Sequence, residues 1–102
     1  MKFATIYSKP DCPYCLKAKE LLLEHGYEIH EQKIGRDFES KEAFQHALAS
    51  VIEAMPETVP QIFLGKVNKA HYVGGYDDLI ARLVLPKSAL DVAEVDFAKF
   101  EL

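Results

Sequence analysis

The chain has two cysteines, Cys12 and Cys15, and they flank Pro13-Tyr14 where a short strand-like run gives way to a helix-like one. Two thiols at i and i+3 across a helix start can close into a small disulfide and reopen. That placement makes Cys12 a candidate nucleophile and Cys15 its resolving partner. Pro13 suits the first helical position, since its φ is preset and it lacks an N–H that would go unpaired there. Cys12 is then the N-cap, with its sulfur facing the free amides of the first turn and the positive end of the helix dipole. Lys9, three residues upstream, adds a positive charge. Such surroundings bring a cysteine pKa from about 8.5 into a range of roughly 3.5–7.5. Cys15, one turn inside, stays mostly protonated until Cys12 has reacted.

Three plainer readings compete with this one. A structural disulfide here closes a loop of only four residues and removes little unfolded-state entropy. A zinc site needs two more ligands, and His25, His30, His46 and His71 show no paired metal spacing, so no metal is expected. Two buried, inert cysteines leave Pro13 and Tyr14 between them unexplained, whereas a helix-start site explains the proline.

At 102 residues, 49% of them hydrophobic, the chain can bury one core but not two. A net charge of −4 without a basic run disfavours nucleic acid as a partner. Only five weakly apolar residues separate Met1-Lys2 from Ser8-Lys9-Pro10-Asp11, too few for a signal segment or a membrane span. The expected compartment is the reducing cytoplasm, with no membrane partner, where a Cys-x-x-Cys pair is more often catalytic than structural.

Phe3 to Tyr7 reads as a buried strand. Cys15, Ala18, Leu21 and Leu22 make an apolar stripe at helical spacing, with Gly26 as the stop. Tyr27 to Ile34 reads as an edge strand. Asp37 or Ser40 caps a second helix whose Ala43, Phe44, Ala47, Leu48, Val51 and Ile52 form a core stripe. Gln61 to Leu64 and Ala70 to Val73, joined through Gly65–Lys69, read as a hairpin. Gly74-Gly75 breaks the strand, Asp77 or Asp78 starts a helix carrying Leu79, Ile80, Leu83 and Val84, and Leu85-Pro86 ends it. The order β-α-β-α-β-β-α predicts an α/β fold with a mixed sheet. In it the first two strands are parallel and the hairpin antiparallel.

Three segments together carry a family resemblance: Cys12-Pro13-Tyr14-Cys15, Thr58-Val59-Pro60-Gln61-Ile62-Phe63 and Gly74-Gly75-Tyr76-Asp77-Asp78-Leu79. In this order they resemble the signatures of the dithiol glutaredoxins, over roughly residues 2 to 84. The resemblance implies a thioredoxin-like fold with a mixed four-stranded sheet flanked by helices, and thiol–disulfide exchange with glutathione as co-substrate. It also implies a glutathione site. Pro60 resembles the family's cis-proline, and Val59 would hold the cysteinyl moiety of glutathione by its main-chain N–H and C=O. Thr58 lies beside them. Asp77, with the amides of Tyr76 and Asp77 after Gly75, would take the γ-glutamyl end. Lys9 would reach the glycyl carboxylate, and Tyr14 would line the groove. The second-helix contact has only Arg36, Lys41 and Gln45 as candidates.

The expected domain is 1–85, followed by an extension, 86–102, packed on it. Within that tail, 98–102 alternates like a strand, whereas Leu90, Ala93, Phe97 and Phe100 fit helical spacing. The expected partners of a monomeric enzyme of this kind are glutathione and disulfide-containing proteins, ribonucleotide reductase being compatible. Two rival functions stay open. One is a thioredoxin-like reductant recycled by a reductase, although the chain has no tryptophan for that branch's Trp-Cys-Gly-Pro-Cys pattern. The other is a non-catalytic binding module of the same fold, which the intact cysteine pair disfavours.

Overall fold

The computed structural model describes residues 2–84 and 100–101. Its centre is β1 (Phe3–Ser8), buried from Ala4 to Ser8. A strand buried on both faces needs cover from two layers, and its backbone needs neighbours on both edges. β1 pairs in parallel with β2 (Glu28–Lys33), with Ala4 opposite Ile29 and Ser8 opposite Lys33. On its other edge it pairs antiparallel with β4 (Gln61–Phe63), which pairs antiparallel with β5 (Tyr72–Gly74). The sheet order is β2-β1-β4-β5, and β2 is an edge strand, as its half-polar alternation predicts.

Period-2 alternation sorts the side chains onto two faces. Ala4, Ile6 and Ile62 meet Ala18 and Leu22 of α1 (Pro13–Glu24) and Leu79 of α3 (Tyr76–Leu83). Tyr7, Phe63 and Val59 meet Phe44 and Leu48 of α2 (Lys41–Ile52), and Cys12 and Cys15 belong to this second cluster. Tyr7 sits edge-on to Phe44 and Phe63, at 5.6 and 5.9 Å between centroids. Burial pushes its hydroxyl pKa up. Phe44, Phe63, Ile6, Leu22, Leu48, Ile62 and Leu79 are fully buried, each contributing about 1.5–3 kcal/mol. The cysteine pair therefore rests on the α2 face of the core.

α1 begins and ends as the sequence predicts. Cys12 is its N-cap, Pro13 opens it, and Gly26 follows the His25 cap with φ of 85°, a conformation that favours glycine. Elsewhere the structure corrects the reading. Ser40 caps α2 by accepting the Ala43 N–H at 3.2 Å. Asp37 instead accepts the Lys33 N–H at 2.9 Å and pairs with Arg36. Ala43 and Ala47 are exposed, since Phe44 and Leu48 fill the core side of that helix. Ala70 and His71 belong to a 3₁₀ turn, Lys69–His71, set by Asn68, whose Oδ1 accepts the His71 N–H. The second hairpin strand therefore starts at Tyr72. Gly75 rather than an aspartate is the N-cap of α3, and Asp78 reaches back to accept the Gly75 N–H at 2.9 Å.

A second sheet was not anticipated. β3 (Thr58–Val59) pairs antiparallel with β6 (Phe100–Glu101), with Thr58 opposite Glu101 and Val59 opposite Phe100. The expected helix end at Leu85-Pro86 and the expected domain boundary at 85/86 lie outside the described residues. So does the expected packing of the extension, apart from the β6 pairing.

Candidate active site

The chain leaves β1 at Ser8 and turns through Lys9, Pro10 and Asp11. Asp11 takes φ of 59°, a left-handed conformation that aspartate tolerates better than most residues. This turn delivers Cys12 to the start of α1 in extended geometry, φ −111° and ψ 100°. The Cys15 N–H donates to Cys12 Sγ at 3.2 Å and to the Cys12 carbonyl at 3.1 Å. A first-turn amide thus points at the sulfur, as the N-cap argument requires. Cys12 and Cys15 form a disulfide, with Cα atoms 5.3 Å apart. Cys12 is 7% exposed and Cys15 2%, so Cys12 is the more accessible sulfur to a narrow degree only. Its role as N-cap separates the two more sharply than exposure does.

One side of the disulfide opens into a cavity of about 390 Å³ lined by Lys9, Lys19, Glu31 and Lys33 together with both cysteines. Three lysines against Glu31 and Asp11 give this wall a positive balance. Beneath it, Glu31 Oε2 accepts the Ser8 hydroxyl at 2.6 Å and the Lys19 ammonium at 3.0 Å. Burial pushes the Glu31 carboxyl pKa up. The bonds from Ser8 and Lys19, with the charges of Lys19 and Lys33, outweigh that and hold it below the usual carboxylate range. The network ties α1 to β1 and β2 directly under the redox pair. Sequence reading missed Lys19, Glu31 and Ser8 as neighbours of the cysteines. A signal existed for Lys19, one helical turn beyond Cys15.

On the α2 face, Val59 packs in the same cluster as Cys12 and Cys15, and the Val59–Pro60 bond is cis. Thr58 is partly buried, and its carbonyl and hydroxyl accept the Gln61 side-chain amide at 2.9 and 3.2 Å. The Tyr72 hydroxyl donates to Gln61 Oε1. Tyr14 stacks on Tyr76 at 5.9 Å, joining the start of α1 to the start of α3. Gly75 and Asp77 flank Tyr76 and are buried. The structure thus brings Cys12, Cys15 and Val59 into one cluster, sets Lys9 on the adjoining cavity wall, and couples Tyr14 to the Gly75–Asp77 helix start. Of the second-helix candidates, Gln45 donates to the Pro56 carbonyl at 2.8 Å. Arg36 is engaged with Asp37 and the Glu31 carbonyl. Lys41 is exposed.

A cysteine pair at a helix start, closed into a disulfide above a mixed α/β sheet, defines a dithiol redox protein. The comparisons give its family. The glutaredoxin family model matches residues 4–68. Glutaredoxin 3 of Escherichia coli is 37% identical over 76 residues, covering 74% of this chain and 80% of that one. The hybrid peroxiredoxin hyPrx5 of Haemophilus influenzae is 36% identical over 77 residues, and the match spans only 27% of its length. Among solved structures, glutaredoxin 1 of Francisella tularensis superposes with a TM-score of 0.65 at 27% identity, covering 90% of this chain and all of the other. The chain belongs to the glutaredoxin family. It is a thiol–disulfide oxidoreductase with a thioredoxin-like fold and a cysteine pair, of a family that uses glutathione as co-substrate.

Proposed function

We propose that this chain reduces glutathione mixed disulfides and protein disulfides at the expense of glutathione, with Cys12 as the nucleophile. The observation that carries the assignment is the Cys15 N–H aimed at Cys12 Sγ across the helix start. That arrangement stabilises a thiolate at Cys12 and leaves Cys15 inside the first turn. With a glutathionylated substrate, the Cys12 thiolate attacks the glutathione sulfur, and the substrate leaves as a thiolate that takes a proton. A second glutathione thiolate then attacks the glutathione sulfur on Cys12, releasing oxidised glutathione and restoring the Cys12 thiolate. With a protein disulfide, Cys12 attacks one sulfur, and Cys15 displaces the bound protein by closing the Cys12–Cys15 bridge. Two glutathiones later reopen it.

The glutathione site we assign uses Val59 for the cysteinyl main chain beside Pro60 and Thr58. Asp77 with the amides of Tyr76 and Asp77 after Gly75 takes the γ-glutamyl end, Lys9 the glycyl carboxylate, and Tyr14 the groove wall. Support comes from the shared Cys12–Cys15–Val59 cluster, the Tyr14–Tyr76 stack and the lysine-rich wall holding Lys9. The compartment that suits this chemistry is the cytoplasm, with the chain acting as a monomer. Among the described residues no helix is long and apolar enough to cross a membrane. Ribonucleotide reductase and, given the hybrid peroxiredoxin relative, a peroxiredoxin disulfide are candidate protein substrates.

The test is recycling. Turnover of a glutathionylated peptide with glutathione and glutathione reductase, and little turnover with thioredoxin reductase, is the expected result. Recycling by thioredoxin reductase alone overturns the proposal in favour of a thioredoxin-like reductant.

A further inference from the structure

β3 is two residues long, and its strand partner among the described residues is β6. Val59 lies opposite Phe100 and Thr58 opposite Glu101, antiparallel. Along a strand, successive residues turn their N–H and C=O groups to opposite edges. The Thr58 carbonyl and hydroxyl are both engaged by the Gln61 amide, at 2.9 and 3.2 Å, so Gln61 covers the Thr58 edge. The edge left for a neighbouring strand is the one on which Val59 presents its N–H and C=O. Neighbouring strands lie about 4.8 Å apart, so one edge takes one strand at a time.

We propose that β6 is an intramolecular occupant of the Val59 edge, and that a glutathionyl or cysteinyl substrate binds by displacing it. The inference rests on the glutathione reading given above and adds its regulation: the chain's own tail is the competitor. An unpaired edge beside the redox pair would otherwise be a template for any passing strand. A two-residue pairing covers it while remaining small enough to release. Coverage lowers the apparent affinity for substrate in proportion to the fraction of molecules in which the edge is open.

The test uses the full chain carrying Phe100→Pro and Glu101→Pro together. Adjacent residues point their N–H groups to opposite edges, so one of the two prolines removes an inter-strand donor whichever way the strand faces. The expected result is a rise of about threefold or more in kcat/KM for a glutathionylated peptide, expressed as a lower KM, with Cys12 alkylation unchanged. Phe100→Ala, which keeps the backbone donors, is expected to change kcat/KM by less than about twofold on the same argument. An unchanged or lower kcat/KM in a folded double-proline variant overturns the inference.

A second measurement needs no tail mutation. In Cys15→Ser protein carrying glutathione on Cys12, the inter-strand amide of the Phe100–Glu101 segment should exchange about tenfold faster than in the unloaded protein, as local pairing is lost. Retained protection overturns the inference. Absence of glutathione-dependent turnover in the wild-type chain defeats the underlying functional reading and the inference with it. Wild-type turnover with no gain in the double-proline variant defeats the tail's role alone.

Discussion

Cys15→Ser separates the two reactions proposed for this site, and its cost follows from where Cys15 sits. The side chain is 2% exposed, in a cluster with Tyr7, Phe44, Leu48, Val59 and Phe63. Serine places a hydroxyl among apolar groups. Its nearest helical acceptor, the Cys12 carbonyl, already receives the N–H groups of Cys15 and Leu16 at 3.1 and 3.2 Å. Burying a hydroxyl with so poor a partner costs about 1–2 kcal/mol. For a domain of this size each kcal/mol moves Tm by roughly 4–8 °C, so the reduced variant should melt about 4–16 °C below the reduced wild type. Comparing reduced proteins removes the disulfide from the difference. In kinetics, reduction of a glutathionylated peptide should stay within about threefold of wild type. Protein-disulfide reduction should fall by about a hundredfold or more, because the neighbouring thiol that displaces the bound protein from Cys12 within the molecule is gone and only the slower intermolecular attack of glutathione is left. Calorimetry and the two assays on one preparation check both halves. Undiminished protein-disulfide reduction refutes Cys15 as the resolving group, and an unchanged Tm refutes the packing argument.

Asp77→Ala should lower kcat/KM for glutathionylated peptides about tenfold or more through KM, since a charge-assisted bond lost to a poorly solvated partner costs about 1.5–3 kcal/mol. Cys12 alkylation should not change, and a kinetically silent, folded variant withdraws Asp77 from the glutathione site. Glu31→Gln tests the network under the cysteines. A carboxyl whose folded pKa is depressed contributes stability above its ordinary value of 4.5, which is lost as pH falls through the folded value. The variant should therefore be less stable by about 1–2 kcal/mol at pH 7, and this deficit should shrink as the pH is lowered and the wild-type carboxyl takes up its proton. Melts whose deficit stays constant down to acid pH contradict the assignment. Gly74→Ala should destabilise by about 1–3 kcal/mol. Gly74 has φ of 119°, and an added Cβ would collide with the Asp78 carboxylate that caps Gly75. Denaturant midpoints check it, and a neutral result refutes the strain argument.

What could be read directly from the chain was local and chemically marked. Pro13 after Cys12 announced a helix start with a sulfur cap, Gly26 its end, and the β-branched and aromatic run at Phe3–Tyr7 the central strand. What was lost was decided by geometry that spacing does not encode. Ala43 and Ala47 share a helical stripe with Phe44 and Leu48, but the core reaches only the larger pair. Asp78 fits an N-cap by composition. Here it reaches back from the third helical position, because Gly75 takes the extended cap conformation. At Ala70-His71 the side-chain bond from Asn68 wins over the strand pattern. In the site, Cys12, Cys15 and Val59 were legible through their motifs. The Ser8–Glu31–Lys19 network and the β3–β6 pairing join residues distant in sequence; the alternation over 98–102 marks the β6 stretch as strand-like, but no local pattern gives its partner or the network.

The central claim is that Cys12 receives the glutathionyl group. The most direct measurement is to mix reduced Cys15→Ser protein with one equivalent of a glutathionylated peptide, quench with acid, and map the adduct by peptide mass spectrometry. The account predicts glutathione on Cys12 and the peptide released as a free thiol. The peptide itself disulfide-bonded to Cys12, or no adduct at Cys12 in a folded protein, would contradict it.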